Sequence, residues 1–150
     1  MAGNIDGIYL ATSHGDPQRQ VGAGKLTVGV GLEGDRYANA DGGVVSLIEA
    51  EAVAAFNAQT GLSVAAAETG RNIVTRGIRL NELVGKQFRL GEVLLEGFEL
   101  CEPCAGLGKR LSTEAVDASA VVAAFAHSAG LRAFVRGTGE IAPGSVVVEA

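Results

Sequence analysis

Apolar residues recur along this chain in short alternating runs, punctuated by glycine and proline. Gly7-Ile8-Tyr9-Leu10-Ala11 and Lys25-Leu26-Thr27-Val28-Gly29-Val30 read as the first two strands, with a turn over Ser13-His14-Gly15-Asp16-Pro17 between them. Arg71-Asn72-Ile73-Val74-Thr75-Arg76 is β-branched at its centre, and Arg132-Ala133-Phe134-Val135-Arg136 alternates. Gly91 within Phe88–Leu95 stands where a hairpin turn needs positive φ, and the apolar run over residues 93–100 follows it. Pro143-Gly144 predicts a type II turn into a last strand, Ser145-Val146-Val147-Val148.

Two segments carry a helical period instead. Ser46 and Glu49 have capping-box spacing, and Ile48, Ala52, Val53 and Phe56 fall on one face, so a helix is predicted from about Leu47 to Thr60, stopped by Gly61. A second helix is predicted over Ser119–Ala129, with Val122, Phe125 and Ala129 facing inward and Gly130 ending it. The polar, Gly-rich stretch 31–43 reads as a mobile surface loop. Many short strands with two separate helices are not a βαβ series. The expected fold is α+β, a mainly antiparallel sheet closed into a β-barrel, with two or more flanking helices.

Composition narrows the function. At 150 residues, with no repeat or linker, the chain is read as one domain over residues 1–150. Twelve basic against 17 acidic residues give a net charge of −5, which argues against a nucleic-acid partner. The longest apolar run, Ala120–Ala126, is far short of the ~20 residues of a membrane span. No secretory signal pattern opens the sequence, and two cysteines do not make a disulfide framework, so reduced thiols in a cytoplasm are expected. Glycine, 22 of 150, runs at about twice its usual share of ~7%, in keeping with many tight turns. The cations are mostly Arg, which grips planar oxyanions well but also reflects compositional bias.

Three clusters could carry chemistry. Cys101-Glu102-Pro103-Cys104 follows a strand, and a thiol there is reactive only if backbone amides or cations such as Lys109 and Arg110 lower its pKa. The alternative is a pair of buried, inert thiols. A zinc site is not expected, because only His14 and His127 remain as further ligands, at unsuitable spacings. Arg71, Arg76 and Arg79, with Asn72 and Thr75 between them, could hold a phosphate or another oxyanion, or could be exposed strand charges with acidic partners. On one strand, Arg71 and Thr75 would share a side opposite Asn72 and Arg76, so both arginines reach one ligand only if the strand ends or twists. Glu33, Asp35, Arg36 and Tyr37 form the third cluster, where Asp35 either positions Arg36 for an anion or caps a turn. His127 suits the negative end of the second helix; His14 sits in a turn with no evident partner.

Taken in order, 31–37 (GLEGDRY), 71–77 (RNIVTRG), 80–85 (LNELVG), 88–91 (FRLG) and 101–104 (CEPC) resemble the MOSC domain, the module named after the C-terminal part of molybdenum-cofactor sulfurases. The similarity runs from about Gly7 to Val148. It departs at Ala105-Gly106-Leu107-Gly108, where an aromatic is often found, and at Ser128-Ala129, where a basic residue and Gly are frequent. The resemblance implies a β-rich barrel and a reactive cysteine, matched here by Cys104, that carries sulfur or ligates molybdenum. It places Arg71, Asn72, Thr75 and Arg76, with Asp35 and Arg36, around a pterin cofactor or a small anionic ligand. Relatives suggest reduction of N-hydroxylated substrates, which would require an electron donor protein; sulfur carriage would require a sulfur donor protein. The aminotransferase-like desulfurase domain of full sulfurases has no counterpart in these 150 residues, so pyridoxal-phosphate chemistry is not expected. Two other readings stay open: a non-catalytic carrier of the molybdenum cofactor, and a thiol redox switch at Cys101 and Cys104. Oligomeric state is left open.

Overall fold

The computed structural model describes residues 2–150. Eleven strands run in chain order: β1 (Ala2–Leu10), β2 (Arg19–Val21), β3 (Gly24–Thr27), β4 (Gly31–Leu32), β5 (Val44–Glu49), β6 (Ile73–Arg76), β7 (Gln87–Leu90), β8 (Val93–Leu100), β9 (Leu131–Val135), β10 (Gly139–Ile141) and β11 (Val146–Glu149). Three helices accompany them: α1 (Ala50–Thr60), α2 (Ala105–Leu111) and α3 (Ala118–Phe125).

Seven of the strands close on themselves in the order β1-β11-β7-β8-β9-β5-β6, with β6 returning to β1. Closure leaves no free edge in this ring. β2 extends it beside β1, and β10, β3 and β4 form a small second sheet. Every pairing between these strands is antiparallel except β5 with β6. A parallel pair cannot be joined by a hairpin. Here α1 and the short 3-10 turn Ala66–Thr69 make the crossover, so the barrel contains one βαβ unit.

That unit explains the apolar pattern from Leu47 onward. Leu47 and Ile73 point into the barrel, beside Ile5, Phe88, Leu95 and Leu131. Ile48 and Val74, the next residues along each strand, point outward into a second core with Phe56, Leu107, Leu111, Val121 and Phe125. Successive side chains of a strand face opposite ways, so a wall buried on both sides is apolar throughout. In the outer core the rings of Phe56 and Phe125 stack at 3.9 Å and 9°, tying α1 to α3.

Several expectations need correction. The first helix begins at Ala50, not Leu47, because residues 44–49 are the strand β5. Ser46 caps no helix; its Oγ donates to Asn72 Oδ1 and accepts from the Asn72 amide. The Glu49 carboxylate accepts from the Leu80 amide at 3.0 Å and lies near Arg79. Gly61 does end α1, with φ 75° and its amide donating to the Asn57 carbonyl. The second helix spans Ala118–Phe125 rather than Ser119–Ala129, with Val121, not Val122, fully buried. Its end is fixed by His127, which takes φ 63° while its amide donates to Glu102 and its carbonyl accepts from Asn81. The stretch 31–43 is anchored and not a free loop: it holds β4 and a 3-10 turn at Ala40–Gly42, and Leu32 and Asp35 are buried. Helix α2 has no counterpart among the predicted elements. Among the described residues, no helix is long and apolar enough to cross a membrane.

Candidate functional site

One rim of the barrel opens into a cleft of about 780 Å³. The start of β6, the end of β8, the start of β9 and the first turn of α2 meet there, and the segment from Arg36 to Asp41 closes the far side. Cys104 lies on its wall as the N-cap of α2. Its Sγ accepts from the Leu107 amide at 3.4 Å. That bond lowers the thiol's pKa below its ordinary value against a smaller opposing effect of burial, helped by the Gly106 amide, the residue's own amide and the Arg71 guanidinium. Pro103 and the extended backbone of Cys104 (φ −95°, ψ 168°) leave the side chain exposed.

Cys101 is the opposite case. It is buried, and burial raises its pKa despite Arg71 and Arg132 nearby. Of the two thiols, Cys104 alone has the exposure and lowered pKa that a nucleophile or metal ligand needs, and Cys101 is a buried wall residue. Of the two causes the sequence offered, backbone amides are the leading one; the cation that adds to them is Arg71, not Lys109 or Arg110.

The cleft brings together four guanidinium groups, from Arg36, Arg71, Arg110 and Arg132. Their partners differ. Arg132 is neutralised by Glu99 and by Asp41 at 3.1 Å. Arg36 donates to Asp35 Oδ1 at 3.1 Å and to the Gly70 carbonyl at 3.2 Å. Arg71 is held by carbonyls alone, with Nε donating to Ala129 O at 2.7 Å and Nη1 to Thr69 O at 3.4 Å. Arg110 donates to the Glu68 carbonyl at 2.9 Å. Among the described residues, Arg71 and Arg110 have no carboxylate partner. Two carbonyls hold Arg71 in place, whereas the more exposed Arg110 makes one such bond.

The other site candidates separate. Asn72 lines the cleft, but its amide is spent on structure, donating to the Tyr9 carbonyl and accepting from Ser46. Asp35 is buried behind Arg36; it accepts from the Ala11 and Tyr37 amides, both at 3.2 Å, and so positions Arg36. Thr75 is fully buried and its hydroxyl has no partner; it does not line the cleft. Arg76 points away, paired with Asp6 at 3.1 Å on the outside of the barrel. Arg79 pairs with Glu49 at 3.6 Å. The physical reason is the start of β6: Arg71 and Asn72 precede the strand at its rim, while Thr75 and Arg76 lie along it. His127 follows the C-cap of α3, and its Nδ1 lies 3.1 Å from the Glu102 carboxylate. Asp41 and Arg132 belong to the cleft, and their sequence context did not single them out. Among the described residues, no cluster of three or more His, Cys, Asp or Glu could hold a metal.

A closed barrel thus opens at one rim onto an exposed thiol of lowered pKa with guanidinium groups around it. The sequence matches the MOSC domain over residues 34–148, and the chain belongs to that family. Among solved structures, it resembles the YuaD protein of Bacillus subtilis at 18% identity, with a TM-score of 0.84 over 98% of this chain and 94% of that one. YiiM from Escherichia coli is 23% identical, with a TM-score of 0.72 over 100% of this chain and 70% of that one. YiiM from Geobacillus stearothermophilus is 16% identical, with a TM-score of 0.76 over 99% and 75%. At these identities the likeness is one of fold. No curated protein matches the chain.

Proposed function

We propose that this MOSC-domain protein binds a ligand of the molybdenum-cofactor class and presents Cys104 to it as a thiolate, either as a metal ligand or as a carrier of sulfur. The observation that carries this reading is the convergence of the exposed, acidified Cys104 thiol and the carboxylate-free Arg71 guanidinium on one cleft. The residues present fit such a group. A cofactor that brings its own sulfur ligands needs only one from the protein, and an exposed thiolate suits a soft metal. Its phosphate needs fixed cations, which Arg71 and Arg110 supply at about 1.5–3 kcal/mol for each charged hydrogen bond. Arg36, steadied by Asp35, extends the cationic wall. When bound, the cofactor supplies two-electron redox chemistry at molybdenum.

The chain's own part is binding and orientation. The Leu107 amide stabilises negative charge on Cys104 Sγ and so favours the thiolate relative to a free cysteine. Cys101, buried and neutral, keeps the barrel side of the site free of a competing thiolate.

The test is molybdenum analysis and pterin fluorescence on protein from a cofactor-competent host, for the natural chain, Cys104→Ser and Arg71→Ala. The expected result is loss of molybdenum in Cys104→Ser with pterin retained, and loss of both in Arg71→Ala. Equal molybdenum in the natural chain and Cys104→Ser removes the ligand role. Reduction of N-hydroxylated bases, measured with an added electron donor, separates the two functional classes. Turnover lost in Cys104→Ser with binding kept marks an enzyme; binding without turnover in the natural chain marks a carrier.

A further inference from the structure

A second cavity, of about 490 Å³, lies across Arg36, Tyr37, Gly70 and Arg110, which line both cavities. Its size falls among small-molecule sites, which span ~300–1,000 Å³. Two observations point to a ligand. The shared wall carries two guanidinium groups over one glycine: a Cβ on Gly70 would stand 3.3 Å from Arg110 Nη2 and 3.8 Å from Arg36 Nη2. Like charges so close repel one another, and only Arg36 has a carboxylate against it, so the pair favours an anion. The second observation is Gln18. It lines this cavity, and both polar atoms of its amide are shielded from solvent and make no hydrogen bond within the protein. A buried amide without partners costs about 1–3 kcal/mol, a cost relieved when the side chain turns its amide into the cavity onto a ligand with the complementary edge.

We propose that this second cavity binds a nucleoside phosphate carrying a guanine-type base, with the phosphate on Arg36 and Arg110 and the base against Gln18. A primary amide offers a donor and an acceptor side by side, which suits a lactam edge and an adenine edge alike, so the choice of base falls to the carboxylates beside it. Asp16 and Glu68 lie in the same wall. Carboxylates accept and cannot donate, so they favour a base rich in N–H groups, and they turn the phosphate towards the guanidinium end. His14 and Tyr37, an edge-to-face pair with ring centroids 5.0 Å apart, both line the cavity and give it an aromatic wall against which a base can lie. Arg36 lies 4.7 Å over the Tyr37 ring, so the anion-binding and stacking groups form one unit. The proposal goes beyond the reading of Cys104: Arg36 and Arg110 wall both cavities, but Cys104 lines only the first and Gln18 only the second, so the two readings are separated at those residues.

Calorimetric titration of the full chain with GMP, AMP and inorganic phosphate tests it. GMP is expected to bind about tenfold or more tightly than either of the others, a difference of roughly 1.4 kcal/mol. Gln18→Leu should lose about tenfold in GMP affinity while melting no lower than the natural chain, because the amide makes no bond that the fold needs. Arg110→Gln, as a second variant, should lose GMP and phosphate alike. Cys104→Ser should bind GMP as the natural chain does, so failure of the thiol reading is distinguishable from failure of this one. Phosphate binding as tightly as GMP, AMP equalling GMP, unchanged GMP affinity in Gln18→Leu, or no heat at millimolar GMP would each overturn the assignment.

Discussion

Asp35 is the buried anchor of the cationic wall, and removing it tests how that wall is held. Its side chain is 2% exposed and accepts three hydrogen bonds: from the Ala11 amide at 3.2 Å, the Tyr37 amide at 3.2 Å and Arg36 Nη1 at 3.1 Å. Asp35→Ala leaves two amides without their acceptor and a largely buried guanidinium, 12% exposed, without its counter-ion. Hydrogen bonds to a charged group are worth about 1.5–3 kcal/mol each, but three on one carboxylate share its charge and do not add in full. Breaking one partner of a buried ion pair costs about 3–5 kcal/mol, and that range is the expectation here. For a domain of this size each kcal/mol moves the melting temperature by about 2–4 °C, so a fall of roughly 6–20 °C is expected. Urea unfolding should show a lower midpoint with an unchanged slope, since the surface exposed on unfolding stays the same. Asp35→Asn keeps an acceptor oxygen without the charge and should lose about half as much. A double-mutant cycle with Arg36→Ala should return a coupling of about 0.5–3 kcal/mol. A loss under about 1 kcal/mol in Asp35→Ala, or a cycle that closes at zero, would refute the claim that Asp35 positions Arg36.

Iodoacetamide should label Cys104 and spare Cys101 in the folded chain, as peptide mass mapping would show. Because the Cys104 pKa is lowered, the alkylation rate should reach its plateau at a lower pH than for a free cysteine, and equal labelling of both thiols would contradict the assignment. Cys101 is raised by burial, so its contribution to stability is fully present below the unfolded thiol pKa and is lost as pH rises through the folded one. Cys101→Ala should flatten that alkaline decline in urea midpoint, and an unaltered decline would place its cause elsewhere. Thr75→Val removes a hydroxyl that has no partner and should stabilise the chain by roughly 1 kcal/mol in thermal melts; a loss of that size would mean that the hydroxyl is bonded. Phe125→Ala removes the stack on Phe56 and should cost about 3–5 kcal/mol by urea titration, with a loss under 1 kcal/mol counting against the outer core as described.

How far the sequence reveals this molecule depends on which face each segment buries. The alternation of Arg132–Arg136 and the turn at Pro143-Gly144 are legible because one side is wet, and Gly144 takes the positive φ that a type II turn requires. Leu47-Ile48 is not legible, because β5 is buried on both faces and a doubly buried strand loses its period. The accidental capping-box spacing of Ser46 and Glu49 then extends the helical pattern backward across the strand. Helix α2 hides behind Gly106 and Gly108. The second is imposed by packing, since a Cβ on Gly108 would stand 2.7 Å from the Ala118 carbonyl oxygen of α3. Cys104 could be found as a candidate, but not its state, because the amide of Leu107 that lowers its pKa is aimed at it only once α2 exists. Gln18 carries no signal in the sequence at all.

The charge arithmetic shows why composition stops short of the site. A chain at −5 looks unsuited to anions, yet the cleft sets four arginines against three carboxylates, those of Asp41, Glu99 and Glu102. What decides the local field is the kind of partner each arginine has. Arg76, Arg79, Arg132 and Arg136 face carboxylates, which cancel their charge. Arg71 and Arg110 face carbonyls, which accept a hydrogen bond and orient the guanidinium while leaving it a full cation. A carbonyl-held arginine is therefore both rigid and electrostatically available, which is the requirement for preorganised anion binding. The carbonyls that do this belong to Glu68, Thr69 and Ala129, beside Gly70 and Gly130, whose φ values of 78° and 120° let the chain turn there. The glycine excess that first reads as mere turn-making thus sets the directions of the oxygens that hold the site's charge.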